Sequence, residues 1–154
     1  MDEKMKRANK LPPIEKIYEA YTAVSDHRID LQESSALVKS SDGKKTYQVE
    51  WQANLYASTD SASYWQGYAG YPIIGVLILG GKLQIDASIM EYFSGVNWNE
   101  LNKKHKRDYR KALLEVFEIK GLTQTEIQGI EEKTAQAYEQ LKLLNIQIVR
   151  KIKR

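Results

Sequence analysis

The run Pro72-Ile73-Ile74-Gly75-Val76-Leu77-Ile78-Leu79, closed by Gly80-Gly81, is the most apolar segment of the chain. A run interrupted only by Gly75 is buried on most of its sides, so the other elements must pack around it. Its β-branched residues fit a strand. Pro72 at the start and the glycine pair at the stop fit a short buried helix, and a helix over 73–79 is expected.

Just upstream stands Tyr64-Trp65-Gln66-Gly67-Tyr68-Ala69-Gly70-Tyr71. Four large aromatics around two glycines suit either a sheet strand with its own core residues or a ligand pocket. In the pocket reading Tyr64, Trp65, Tyr68 and Tyr71 supply stacking and Gln66 a polar handle.

The N-terminal half reads as a helix followed by strands. Pro12-Pro13 opens a helix over about 13–24, in which Ile14, Ile17, Tyr18, Tyr21 and Val24 share a face. A strand is expected within Ile29 to Lys39, then a tight hairpin at Asp42-Gly43. Tyr47, Val49, Trp51, Ala53, Leu55 and Ala57 fall at alternate positions, the period of a half-buried strand. Ser58 to Ser61 turns the chain, and Ala62 to Ala69 returns as a third antiparallel strand.

The C-terminal half reads as helices. Asp86 caps a short one through Phe93. Asn97 caps a long one from Trp98 to about Lys120, with Leu101, His105, Tyr109, Ala112, Leu113 and Val116 on its apolar stripe. Thr123 and Glu126 form a capping box for a last helix over 124–148, whose seam runs Ile127, Ile130, Thr134, Ala137, Leu141, Leu144 and Ile148. Gly121 to Ile127 resembles the opening of the first helix of a helix-turn-helix motif, but Glu131-Glu132 stand where the motif's turn glycine belongs. The fold expected is α+β: a three-stranded antiparallel β-meander packed against an N-terminal helix and a C-terminal set of helices. At 154 residues one domain is expected over 1–154, with a flexible N-terminus over 1–11 and a basic tail over 149–154.

The absence of cysteine excludes disulfides and thiol chemistry, and fits a reducing compartment. Met1 to Arg7 is charged and no apolar signal core follows it, so a cytoplasmic location is expected. The apolar run is too short to cross a bilayer, which needs about 20 residues, so no membrane partner is expected. His27 and His105 are the two histidines, and neither has a ligand-spaced neighbour. His27 is read as complementing a helix end and His105 as a half-buried stripe residue. No phosphate-loop or dinucleotide fingerprint occurs either. No metal, cofactor or catalytic residue is expected, and a non-enzymatic role is favoured.

Charge is uneven. Residues 1–97 hold 10 Lys/Arg against 12 Asp/Glu, and residues 98–154 hold 13 against 8. Lys103, Lys104, Lys106, Arg107, Arg110 and Lys111 cluster with Asp108 as the single acid among them. On one continuous helix Lys103, Arg107 and Arg110 share a face, the footprint of phosphate binding.

Three readings follow. The first is a non-catalytic binding or assembly module, with a homodimer through the helix 124–148 as one form. The second is RNA, DNA or other polyanion binding through Lys103, Lys104, Arg107, Arg110 and Lys111, helped by the tail. The third is a small-molecule or enzymatic site at Tyr64, Trp65, Gln66, Tyr68 and Tyr71.

Overall fold

The computed structural model describes residues 10–153. Helix α1 (Glu15–Ser25) leads into strands β1 (Ile29–Leu31), β2 (Ser35–Lys39), β3 (Thr46–Gln52) and β4 (Leu55–Ser58). A single π-helical turn, Ala62–Gln66, then precedes α2 (Tyr71–Leu79), α3 (Ala87–Glu91), α4 (Trp98–Lys104), α5 (Tyr109–Ile119), α6 (Gln124–Leu143) and a short β5 (Gln147–Ile148). The fold is mixed α and β, built on a five-stranded sheet in the order β1-β2-β3-β4-β5. The first four strands form an antiparallel meander and β5 joins β4 in parallel.

The apolar run is a helix, as expected. Gly70 stands in extended backbone before it, Pro72 lies in its first turn, and Pro72 through Leu77 are buried. The helix α2 packs between α1 and the sheet, close enough to β1 that a Cβ on Gly75 would meet Ile29 Cδ1 at 2.5 Å.

Helix α1 is more central than its one apolar face suggests. Lys16 to Ala23 are all buried, including Lys16, Glu19 and Thr22. Tyr18, Tyr21 and Phe93 meet edge-on or tilted, with Phe117 alongside. Thr22 Oγ1 donates to Phe93 O at 2.7 Å and accepts from Trp98 Nε1 at 2.8 Å. The far end of α1 is thereby pinned to the segment leading into α4.

Five expectations are corrected. The meander has four strands in a five-stranded sheet, not three, and the stretch 29–39 is itself two strands, because the chain reverses over residues 32–34 so that Leu31 pairs with Ala36. The alternating run 47–57 is two strands, because Ala53 takes a left-handed φ of 52° and turns the chain so that Gln52 pairs with Leu55. The third strand expected over 62–69 is the π-helical turn and a loop instead, ended by Gly67 at φ 76°. The helix expected over 98–120 is α4 and α5, broken where Lys106 and Arg107 take φ of 53° and 67° and Asp108 caps a new start. The last helix stops at Leu143, not 148; Leu144 is extended and Ile148 lies in β5.

The seam expected for a homodimer is spent inside the chain. Ile130, Thr134, Ala137 and Leu141 of α6 are buried against the core, and Thr134 Oγ1 pairs with Tyr21 Oη at 2.9 Å. Of the N-terminus expected to be flexible, residues 1–9 lie outside the described residues. Lys10 makes an isolated parallel bridge with Tyr68. The tail is tied down as far as Ile152: Val149 N donates to Tyr56 O at 2.8 Å and the Ile152 side chain is buried.

Candidate functional site

The aromatic stretch splits in three. Asp60, buried, organises the turn: Ser58 Oγ donates to its Oδ1, and Ser63 donates to its Oδ2 through N (3.1 Å) and Oγ (3.2 Å). Gly70 N donates to Ser63 Oγ at 3.0 Å, which ties the loop back onto the same hub. This frame pushes Tyr64, Trp65 and Gln66 outward. Trp65 is 65% exposed, Gln66 is exposed and Tyr64 is half-buried.

The exposed indole is not bare. The rings of Tyr64 and Trp65 meet edge to face at 4.8 Å. The Arg150 guanidinium lies over both, 5.3 Å from the Tyr64 centroid and 5.1 Å from that of Trp65, and Arg150 Nε donates to Tyr64 O at 3.1 Å. One backbone bond and two ring contacts thus place the cation at this corner. Lys151 and Lys153, both exposed, follow on the same strand of chain.

The other two tyrosines face elsewhere. Tyr68 receives the Lys10 ammonium over its ring at 5.7 Å. Tyr71 meets Tyr47 edge-on at 6.2 Å, and burial pushes its hydroxyl well above the usual range. Tyr64, Trp65, Gln66, Tyr68 and Tyr71 therefore do not converge on one cavity. A cleft of about 310 Å³ opens beside them between Lys10–Pro12, the end of α6 and β5, and of the stretch 64–71 Ala69 alone lines it among the described residues.

The basic stretch is divided by the break between α4 and α5. Lys103 and Lys104 end α4, Arg107 lies in the turn, and Arg110 and Lys111 open α5, so they share no helix face. Lys104 Nζ pairs with Glu115 at 2.9 Å and Arg110 Nη2 with Glu131 at 3.2 Å. His105 caps the end of α4, half-buried, with Nε2 2.7 Å from Glu115 Oε1. The hydrogen bonds from Lys104 and His105 hold the Glu115 carboxyl below its usual range. Lys103, Arg107 and Lys111 are exposed and make no ion pair among the described residues.

A third group was missed from sequence because Lys16 and Glu19 lie off the apolar face of Ile14, Ile17, Tyr18, Tyr21 and Val24, yet both are buried. Lys16 Nζ lies 3.3 Å from Glu19 Oε2 and 4.1 Å from the centre of the Tyr109 ring. Asn102 Nδ2 donates to the same Glu19 oxygen at 3.3 Å. Burial alone would lower the Lys16 pKa, but Glu19, Tyr109 and Tyr68 together outweigh it and hold the ammonium above its ordinary value. Burial pushes the Glu19 carboxyl up, with Lys16 and Asn102 pulling the other way. A buried pair at one helical step joins α1 to α4 and α5. The readable signal is that Lys16 and Glu19 interleave with Ile17, Tyr18, Ala20 and Tyr21, leaving α1 no wide polar face.

No group of three or more metal-ligating side chains stands together among the described residues, and no helix there is long and apolar enough to cross a membrane.

A family model described as Uncharacterised conserved protein UCP014422 matches residues 9–147. The chain belongs to this family. The UCP014422 span takes in Tyr64, Trp65, the Lys16–Glu19 pair and both basic helices, and stops short of Arg150. No curated protein matches the chain, and no solved structure does.

Proposed function

We propose that the protein is a non-catalytic binding module whose contact face is the corner of Trp65, Tyr64 and Arg150, and that its partner is single-stranded nucleic acid. One observation carries the reading: Trp65 is 65% exposed on a turn anchored by the buried Asp60. Leaving most of an indole in water forgoes on the order of 2–3 kcal/mol of burial. A stacking partner recovers it. Every base presents a π-face, so an exposed indole beside a guanidinium is a sequence-tolerant platform. Arg150, Lys151 and Lys153 supply cations for the phosphates that accompany such bases. Cytoplasmic placement belongs to the same proposal and rests on the cysteine-free sequence.

The test is anisotropy of a labelled mixed-sequence single strand at about 50 and 200 mM salt, with the wild type and Arg150→Glu. The wild type is expected to bind with a steep salt dependence, and Arg150→Glu to bind weakly with a shallower one. Equal affinity of the two proteins would remove this corner from the interface.

A further inference from the structure

We propose that the solvent face of α5 is a self-association surface that takes a second copy of this chain in antiparallel register. The face is defined by what α5 buries: Ala112, Leu113, Val116 and Phe117 point inward. At 3.6 residues per turn the midline of the opposite side runs through Lys111 and Glu118, two turns apart, with Leu114 on one flank and Glu115 on the other. Leu114 is 49% exposed, and Ile119 at the edge is 66% exposed.

The charges on this face are of two kinds. Glu115 is already held by Lys104 and His105, and Arg110 by Glu131. Lys111 and Glu118 have no ion-pair partner among the described residues, and they are opposite in sign. A twofold axis passing between Leu114 and Glu115 sets Lys111 of each copy against Glu118 of the other, about 5 Å either side of the axis along the helix. The same axis brings the two Leu114 side chains together on one flank and the two Glu115 carboxylates, each held by its own Lys104 and His105, on the other. A parallel arrangement would instead put lysine on lysine, so the charge pattern selects the antiparallel register. With eleven residues α5 is about 16 Å long, so the shared area falls below the roughly 800 Å² per partner of a standard interface. The dimer is therefore weak and sensitive to salt.

This inference stands apart from the nucleic-acid reading, since it uses none of Tyr64, Trp65 or Arg150. Light scattering across protein concentration at low and high salt tests it, on the wild type, Lys111→Glu, Glu118→Lys and the double variant. All the changes are at exposed positions, and circular dichroism checks that each variant is folded. At low salt and high concentration the wild type is expected to approach twice the chain mass of 17.7 kDa. Each single reversal is expected to stay at the chain mass, while the double reversal, and an equimolar mixture of the two singles, return to the doubled mass. A wild type that stays at the chain mass overturns the proposal. So does a single reversal with wild-type mass, or a double reversal that fails to recover it.

Discussion

The Arg150 guanidinium sits 5.1 Å from the centre of the Trp65 ring, joining the end of the chain to the turn that precedes its most apolar helix. Neither partner is held by the other alone. Trp65 is set by the Asp60 hub beneath its turn, and Arg150 by the pairing of β5 with β4 and the buried Ile152 behind it. A cation–π contact at an exposed site contributes only about 0.5–1 kcal/mol, so the contact orders the corner without carrying the fold.

The frame under Trp65 has a sharp steric test. A Cβ on Gly70 would stand 2.1 Å from Asp60 Oδ2 and 3.0 Å from its Cγ, while Ser58 and Ser63 hold that carboxylate in place. Gly70→Ala is expected to cost about 1–3 kcal/mol by overpacking and to loosen the turn 62–66. Gly129→Ala, in α6 with open space at the Cβ, is expected to gain about 1 kcal/mol from helix propensity. Urea unfolding of both variants measures the contrast; a harmless Gly70→Ala would mean that Asp60 does not position the turn.

Thr134 is the polar break in the α6 seam, and its partner is Tyr21 Oη at 2.9 Å in the fully buried core. Thr134→Val keeps the shape and strands the phenol, so a loss of about 1–3 kcal/mol is expected. Adding Tyr21→Phe removes the stranded group and is expected to recover much of that loss. Denaturant midpoints of the four proteins close the cycle, and additive losses would contradict the bond.

Tyrosine burial sets an alkaline limit. Burial pushes the Tyr18 hydroxyl up to about 12, and pushes Tyr21 and Tyr71 upward as well. These folded-state values lie above the unfolded one, so the neutral phenols' contribution is complete below pH 10. It is lost as pH rises from 10 through about 12. The denaturant midpoint is expected to fall across that interval, with buried phenols ionising only as the fold opens. Phenolate absorbance that rises in full while circular dichroism stays native would contradict this.

What the sequence made legible was local. The caps at Asn97 and at Thr123–Glu126 and the Gly43 turn depend on contacts within three or four residues, and all three are present. That an antiparallel meander stands beside helices was legible through periodicity, but the number of strands was not, since the alternation over 47–57 runs straight through the turn at Ala53. Features decided at a distance were not. Strand β5 exists because Gln147 N reaches Asn54 O, and no pattern in two residues announces that. The break before α5 did leave a sign in Asp108, whose side chain accepts from Lys111 N, but an apolar stripe running through His105 and Tyr109 hid it. At the candidate site, the aromatic stretch and the basic tail were both noticed. Their meeting was not, because it is made by the return of the chain to the sheet.

The most direct measurement is the affinity of Trp65→Phe and Trp65→Ala for a labelled single strand at about 50 mM salt, beside the wild type. Stacking on one aromatic contributes about 1–3 kcal/mol per base, so the alanine variant is expected to lose about tenfold or more and the phenylalanine variant much less. If both variants bind as tightly as the wild type, or the wild type does not bind at all, the corner of Trp65 and Arg150 is not a nucleic-acid platform.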